Sequence, residues 1–421
     1  MLDIKLIRED PEKVKKAIKS KGSLVDIDKI FELDKKKRQL QGKMEALNAE
    51  KNIATEEIQK GKDKNKIIEL MKKVDQQTEE LKIELKRTDH DFNKLILALP
   101  NLPAPDVKIG KDETQNEIIK TVGQPIKFDF KFQDYMQIGK RLDLIDTETG
   151  AKVSGSRFGY LKNEAVLLEF ALVQFALNTL IKEGFKPVIP PQITKEEMMH
   201  GLGYLGGQGE AETYHFEKDK QYFIGTAEHA LIPMHANEIL KENALPKRYL
   251  GFSTCFRREA GSYGKDTKGI LRVHQFDKVE MVTFAKPEDG DKQHEFMLAQ
   301  AEKLVKALKI PYRVMKMCTG DLANPSARTY DIECWIPSEN RYRETHSIST
   351  CTDYQARRLM IRYRDNMQRA TRYVHTLNGT AFAIGRTLIA ILENYQQKDG
   401  SVKVPEVLQK YCGLKKIKNR S

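Results

Sequence analysis

The sequence predicts an α+β protein in two parts, a long antiparallel helical coiled-coil hairpin followed by a domain of mixed helices and strands. Three observations carry this. Between Pro11 and Pro100 there is no proline, and from Glu32 to Asp91 no aromatic residue, while Lys, Glu, Asp and Gln dominate; that is the composition of long exposed helices. Residues 100–116, PNLPAPDVKIGKDETQN, then interrupt helical periodicity with three prolines and a glycine, which makes a linker. Beyond it aromatics and β-branched runs appear, including residues 249–284, which read as two extended limbs joined by the glycine-bearing link AGSYGKDTKG. The organisation expected is residues 1–100, a linker over 101–116, and residues 117–421.

Composition limits the function. A chain of 421 residues with a 40% hydrophobic share is ample for a large core. The net charge of +12 suits a polyanion such as nucleic acid, although a generally basic proteome gives the same figure. Five cysteines, Cys255, Cys318, Cys334, Cys351 and Cys412, have no Cys-x-x-Cys spacing, so no disulfide framework and no structural zinc are expected. The amino-terminal residues lack the apolar core of a signal peptide, and a cytoplasmic protein is expected.

Residues 1–26 read as a short strand and a helix, with Asp10-Pro11 as the start signal. The arm, about residues 28–99, carries apolar or small residues at Ile67, Met71, Val74, Thr78, Leu81, Leu85, Thr88, Phe92, Leu95 and Leu99, alternating four and three apart, a heptad seam. A weaker matching series is Leu33, Leu40, Met44, Leu47, Ala54 and Ile58, with Gly61 at the interruption. The segment therefore folds back on itself. Such an arm serves either dimerisation or contact with another molecule, and in the second case Lys35 to Arg38 and Lys60 to Lys66 are the clusters available for phosphates.

In the second part, residues 164–183 are apolar on nearly all faces and about as long as a membrane span, but Glu164, Glu169, Gln174, Asn178, Lys182 and Glu183 argue for a buried interface helix with no membrane partner. Gly201, Gly203 and Gly206 have the G-x-G-x-x-G spacing, yet no strand precedes them; they read as a glycine-rich loop over the site and not as a dinucleotide fingerprint. Thr226 reads as the N-cap of a helix ending near Leu240, with Glu228 in its first turn. His229 and His235 are six apart, on different faces of such a helix, so both are taken as structural.

In the two limbs, alternation puts Arg257 and Glu259 on one face, and Arg272, His274, Phe276 and Glu280 on one face of the return. Arginines that take phosphate oxygens, a ring that stacks on a base and carboxylates that accept from an amine suit a nucleotide; a ribbon with an ordinary solvated face shows the same alternation. A helix over 288–309 and a strand at 312–317 follow. Next comes a central strand with Tyr330, Ile332, Cys334 and Ile336 on one face and Asp331, Glu333 and Trp335 on the other.

Residues 256–280, FRREAGSYGKDTKGILRVHQFDKVE, closely resemble the second signature motif of class II aminoacyl-tRNA synthetases, in the form found in seryl-tRNA synthetases. GFKPVIPPQI at 184–193 is similar to the first motif, with its dimer-interface proline at Pro191, and HTLNGTAFAIGRTLIAILENYQ at 375–396 to the third. RYRETHSISTCTDYQARR resembles the segment that holds ATP and magnesium, with Thr345, His346 and Thr350 departing from its usual residues.

The resemblance implies an antiparallel catalytic sheet of six or seven strands flanked by helices, a homodimer, and an arm that grips the long variable arm of tRNA(Ser). The activity implied is ATP-dependent activation of L-serine to seryl-adenylate and its transfer to tRNA(Ser), and to tRNA(Sec) where one exists. It assigns catalysis to Arg257, Arg386 and Glu344. It assigns ATP to Arg257, Arg258, Glu259, Arg272, the main chain of Val273, Phe276, Glu344, Thr345, His346, Ser347 and Arg386. Mg²⁺ bound with ATP falls to Glu344 and Ser347, and serine to Thr226, Ala227, Glu228, Arg257, Glu280, Asn378 and Thr380. A related specificity such as threonine, a paralogue that loads a carrier protein, and a non-catalytic RNA-binding scaffold are the alternatives.

Overall fold

The computed structural model describes residues 1–60, 64–205, 208–260, 268–367 and 369–419. Gly61, Gly206, Gly261 and Gly264, which the sequence reading places in turns and loops, lie outside the described residues. The chain divides into two compact units, Met1–Leu102 and Pro103–Ser421.

The first unit is all helical. Helix α1, Ile4–Glu9, takes the place of the expected strand, and α2, Pro11–Ser20, follows it. Capping explains the difference: the Asp3 and Asp10 carboxylates accept the Lys5 and Lys13 main-chain N–H groups at 2.9 Å each, Ile7 is the buried residue of α1, and the buried Val14 and Ile18 share one face of α2. Helices α3, Ile27–Gln59, and α4, Lys64–Ala98, form the arm, 33 and 35 residues long, or about 50 Å each. The described residues of both heptad series are the buried or half-buried ones, while positions between them are mostly exposed. At the base of the arm Asp34 is almost fully buried and takes Arg8 in a two-bond fork, 2.8 and 2.7 Å.

The second unit is built on one eight-stranded sheet. Its strands are β1 (Glu117–Val122), β2 (Lys186–Val188), β3 (Lys247–Phe256), β4 (Gln275–Ala285), β5 (Tyr312–Lys316), β6 (Arg328–Ile336), β7 (Arg341–Thr350) and β8 (His375–Ala383). They lie in the order β1-β5-β6-β7-β8-β4-β3-β2. Seven are antiparallel, as expected; the eighth, β2, is added in parallel at the β3 edge. Helices α5 (Glu164–Leu180), α6 (Gly290–Ala307) and α7 (Ile384–Asn394) share one core with Val279, Met281, Ile332, Ile348, Leu377 and Phe382 of the sheet. Because side chains alternate along a strand, the residues between these are free to face a cavity on the other side.

The apolar segment Glu164–Glu183 is long enough to cross a membrane, but half of it is buried in this core. Along α5 the exposed apolar residues are Leu167 and Phe170, one stripe of the helix.

Candidate active site

Two β-bulges decide which residues reach the cavity. Between β6 and β7, Ile332 pairs with His346 and Glu333 with Glu344, so Thr345 is an extra residue. Plain alternation would group Glu344 with His346; the extra residue instead puts Glu344 with Ser347 and Ser349 in the cavity and turns His346 to the core side. Between β4 and β8 the pairs Val279–Phe382 and Glu280–Thr380 skip Ala381, so Asn378 and Thr380 line the cavity while Ala381 and Phe382 pack in the core.

The cavity, about 640 Å³, has two chemically different regions. In one, Arg386 at the start of α7 donates to Glu344 Oε2 at 3.0 Å and to its main-chain oxygen at 3.1 Å. Burial opposes ionisation of Glu344, but Arg386, Arg257 and Arg272 outweigh it and hold the carboxyl below its usual range. Asp331 lies buried behind the Ser347 hydroxyl; burial, then the Glu344 charge, pushes its carboxyl well up. Arg272 pairs with Glu259 at 3.2 Å. Arg257 donates Nε–H to the Gly225 carbonyl at 3.1 Å, and its guanidinium lies 5.3 Å from the centre of the Phe276 ring, a cation–π placement.

The limbs are shorter than the sequence implies. Strand β3 stops at Phe256 and β4 starts at Gln275, so Arg257, Glu259 and Arg272 stand on loops. Glu259 has φ +52°, a left-handed conformation costly for a non-glycine residue. It directs the carboxylate to Arg272.

In the other region, Thr226, Glu228, Lys278 and Glu280 lie together, all buried. The expected N-cap is not formed: the helix is only Glu228–Leu231, Ala227 is its boundary residue, and no side chain caps it. Thr226 spends its hydroxyl on Glu280 Oε2 instead. Pro233 opens a separate 3₁₀ turn and the chain is already a strand at Ile239–Lys241, so no helix extends to Leu240. Glu228 accepts from Tyr204 Oη at 2.9 Å and Gln355 Nε2 at 2.7 Å, and burial together with the Glu280 charge raises its carboxyl to about 7.

Most sequence-assigned residues meet here: Arg257, Glu259, Arg272, Val273, Phe276, Glu344, Thr345, Ser347, Arg386, Thr226, Glu228, Glu280, Asn378 and Thr380 all line the cavity. Four do not. His346 bonds Thr345 Oγ1 at 2.8 Å, packs its ring 5.8 Å from that of Phe382 and, being buried, is held neutral with its acidity shifted to about 4. Arg258 turns out over the Tyr214 ring at 5.6 Å. Ala227 is fully buried beneath Gly251. His274, expected on the face of Arg272 and Phe276, binds the Arg257 carbonyl through Nδ1 at 2.9 Å. Of the two histidines taken as structural, His229 lines the cavity and accepts from the Gly225 N–H at 3.2 Å, while the buried His235 joins Glu238 to Tyr249. Lys278, Tyr204 and Gln355 were not foreseen. The alternation that groups Phe276 with Glu280 also includes Lys278, so that signal was present.

Residues 1–103 match the model of the seryl-tRNA synthetase N-terminal domain, and residues 214–395 that of the tRNA synthetase class II core domain (G, H, P, S and T). The chain is 45% identical over 423 residues to the serine–tRNA ligase of Dictyoglomus turgidum, with 99% of each chain covered. The crystal structure of seryl-tRNA synthetase from Pyrococcus horikoshii complexed with ATP superposes with a TM-score of 0.94 at 41% identity, over 100% of both chains. The cytoplasmic serine–tRNA ligase of Naegleria fowleri in complex with AMP does so with a TM-score of 0.89 at 33% identity, over 100% of this chain and 99% of that one.

Proposed function

The chain belongs to the seryl-tRNA synthetase family, and on that footing we propose that it activates L-serine with ATP and transfers the seryl group to tRNA(Ser). The observation that carries this reading is that one cavity joins an arginine-rich region with a stacking ring to a small region with two carboxylates and hydroxyls. The first suits a nucleoside triphosphate and the second an amino acid the size of serine.

In the first step a serine carboxylate oxygen bonds to the α-phosphorus, the bond to the β-phosphate bridge breaks and pyrophosphate leaves. In the second, the 3′-terminal adenosine hydroxyl of tRNA attacks the seryl carbonyl, losing its proton as AMP departs. Arg257 bridges the two substrates at the reacting atoms, Phe276 stacks on adenine, and Arg272 and Arg386 take phosphate charge; Thr226, Glu228, Glu280, Asn378 and Thr380 take serine. This is catalysis by positioning and charge.

Mg²⁺ fits the donors: the Glu344 carboxylate and the Ser347 hydroxyl open into the cavity, and a hard ion that keeps waters and phosphate oxygens needs few protein ligands. Among the described residues no group of three His, Cys, Asp or Glu could hold a metal. Bound there, it would supply charge to the phosphates.

Pyrophosphate exchange into ATP, measured with serine, threonine, alanine and glycine in turn, tests the reading. Serine alone should drive exchange; silence with all four would overturn it.

Glu228 gives a pH dependence. Its carboxyl is raised to about 7 in the folded protein from an ordinary value near ~4.3, so between these values the folded state holds the extra proton, and this group's contribution to stability falls as pH rises through that window. An ammonium wants the charged form. Serine affinity should therefore rise about tenfold per unit from pH 5 to 7 and level off above, read from serine KM in the exchange assay; a flat profile would remove Glu228 from the ammonium site.

The arm is proposed to take tRNA. Of the Lys35 to Arg38 cluster, Lys36, Lys37 and Arg38 are paired with Glu84, Asp89 and Asp34, which leaves Lys35 as the cation best able to reach a phosphate. Excising residues 31–94 and joining the ends by a short Gly-Ser linker should leave exchange within about threefold while raising KM for tRNA(Ser) by about 10² or more, given the phosphate share of RNA affinity. Equal loss of both activities would contradict a tRNA-specific role. A homodimer through the Leu167 and Phe170 stripe and a cytoplasmic location belong to the same proposal; a solution mass of 48.4 kDa would reject the dimer.

A further inference from the structure

Lys278 is a charged residue of the cavity to which the steps above give no part. It stands on β4 between Phe276 and Glu280, 5% exposed, a burial that an ammonium tolerates only when it is matched. Its Nζ donates to Thr226 Oγ1 at 2.7 Å and to Glu280 Oε1 at 3.0 Å. Thr226 in turn donates its single hydroxyl proton to Glu280 Oε2, which also accepts the Glu228 main-chain N–H at 3.0 Å.

Both oxygens of Glu280 are therefore occupied, by Lys278 on one side and by Thr226 and the Glu228 main chain on the other. Among the described residues the side-chain donors to Glu228 are neutral, Tyr204 and Gln355. The two carboxylates are alike in type and unlike in state.

We propose that Lys278 is a positioning residue that fixes the charge of the amino-acid region at one negative: it offsets Glu280, locks the Thr226 hydroxyl toward that carboxylate, and leaves Glu228 to receive a single ammonium. The inference rests on the serine-activation reading and refines it: Lys278 fixes Glu280 in place at the pocket wall, and Glu228 receives the ammonium. Without the lysine, two carboxylates would face each other across a buried pocket with no cation between them, and like charges so placed share a proton. The charged and titratable groups facing Glu228 are Tyr204, Glu280 and Lys278, with His229 beside it and Arg257 beyond.

The test is Lys278→Met, with Lys278→Arg as the charge-keeping control, followed through serine KM and ATP KM in pyrophosphate exchange from pH 5.5 to 8.5. In Lys278→Met, serine KM should rise by about tenfold or more at pH 7.5 and the midpoint of its pH profile should move up by about one unit, as expected when a buried charge pair is broken. ATP KM should stay within about twofold, because its contacts lie at the other region of the cavity. Lys278→Arg should return the midpoint to that of the unaltered protein. An unchanged midpoint in Lys278→Met would overturn the proposal, and so would one that moves but is not restored by arginine.

Should Lys278→Met fail to fold, calorimetry on the unaltered protein reads the same point. Serine binding at pH 6, compared in two buffers of different ionisation enthalpy, should release about one proton and no more; a value near two would mean that Glu280 is not held by Lys278 and would overturn it. Absence of serine-driven exchange in the unaltered protein would instead strike the functional reading itself.

Discussion

Arg386→Ala should lower serine-dependent pyrophosphate exchange by about 10³-fold, the loss typical of removing a charged donor aimed at developing charge in a closed site. The residue holds Glu344 by both its carboxylate and its main-chain oxygen, so on the proposed reading the substitution removes a cation from the phosphates and strands an anion among them. Lysine should restore little: Nη1 alone makes both contacts to Glu344, which leaves the rest of the planar fork for phosphate oxygens, and a point-charge ammonium has no such fork. Serine KM should change by less than about threefold, since the serine pocket is at the other region of the cavity. Thermal melting should shift by only a few degrees, because the pair opens to the cavity and is not part of the core. Near-normal exchange would remove Arg386 from the reacting set.

Arg257→Ala should cost as much or more, about 10³ to 10⁴ in kcat/KM, with a different signature. Arg257 is anchored to the Gly225 carbonyl, just ahead of Thr226, and lies against Phe276. On the proposed reading it stands where the amino-acid carboxylate meets the α-phosphate. Its loss should raise serine KM and lower kcat together, whereas Arg386→Ala should act mainly on kcat. Rapid-quench measurement of adenylate formation separates the two, and an Arg257→Ala variant with unaltered serine KM would place the carboxylate elsewhere.

The parts of the fold that the sequence made legible were those governed by long repetition. The heptad series runs through both arm helices, unbroken in the second and with seven-residue steps at Leu33–Leu40 and Leu47–Ala54 in the first; over so many repeats an error in one residue could not change the reading. Short elements were less secure. The amino-terminal segment became a helix because two aspartates cap its turns, and residues 226–240 look helical only until Thr226 is drawn to a carboxylate 54 positions away. Such a contact is tertiary, and local propensity holds no record of it.

The site followed the same division. Residues on regular strands, such as Phe276 and Glu280, went where alternation sends them, and Lys278 would have been found by the same count. His346 was misplaced because a single extra residue, Thr345, reverses the count beyond it, and nothing in the letters THS marks that reversal.

That extra residue has a further consequence, for insertions and deletions. Removing Thr345 would leave Glu344 and Ser347 two positions apart, the spacing at which regular alternation already puts side chains on one face. The serine hydroxyls would stay beside the cavity and the imidazole in the core; what would go is the local bend and twist that an extra residue adds. The same gap placed at Ile348 would meet no extra residue to absorb it, and it would exchange Ser349 for the core behind it. A one-residue gap on this strand is thus mild or severe according to which side of Ser347 it falls.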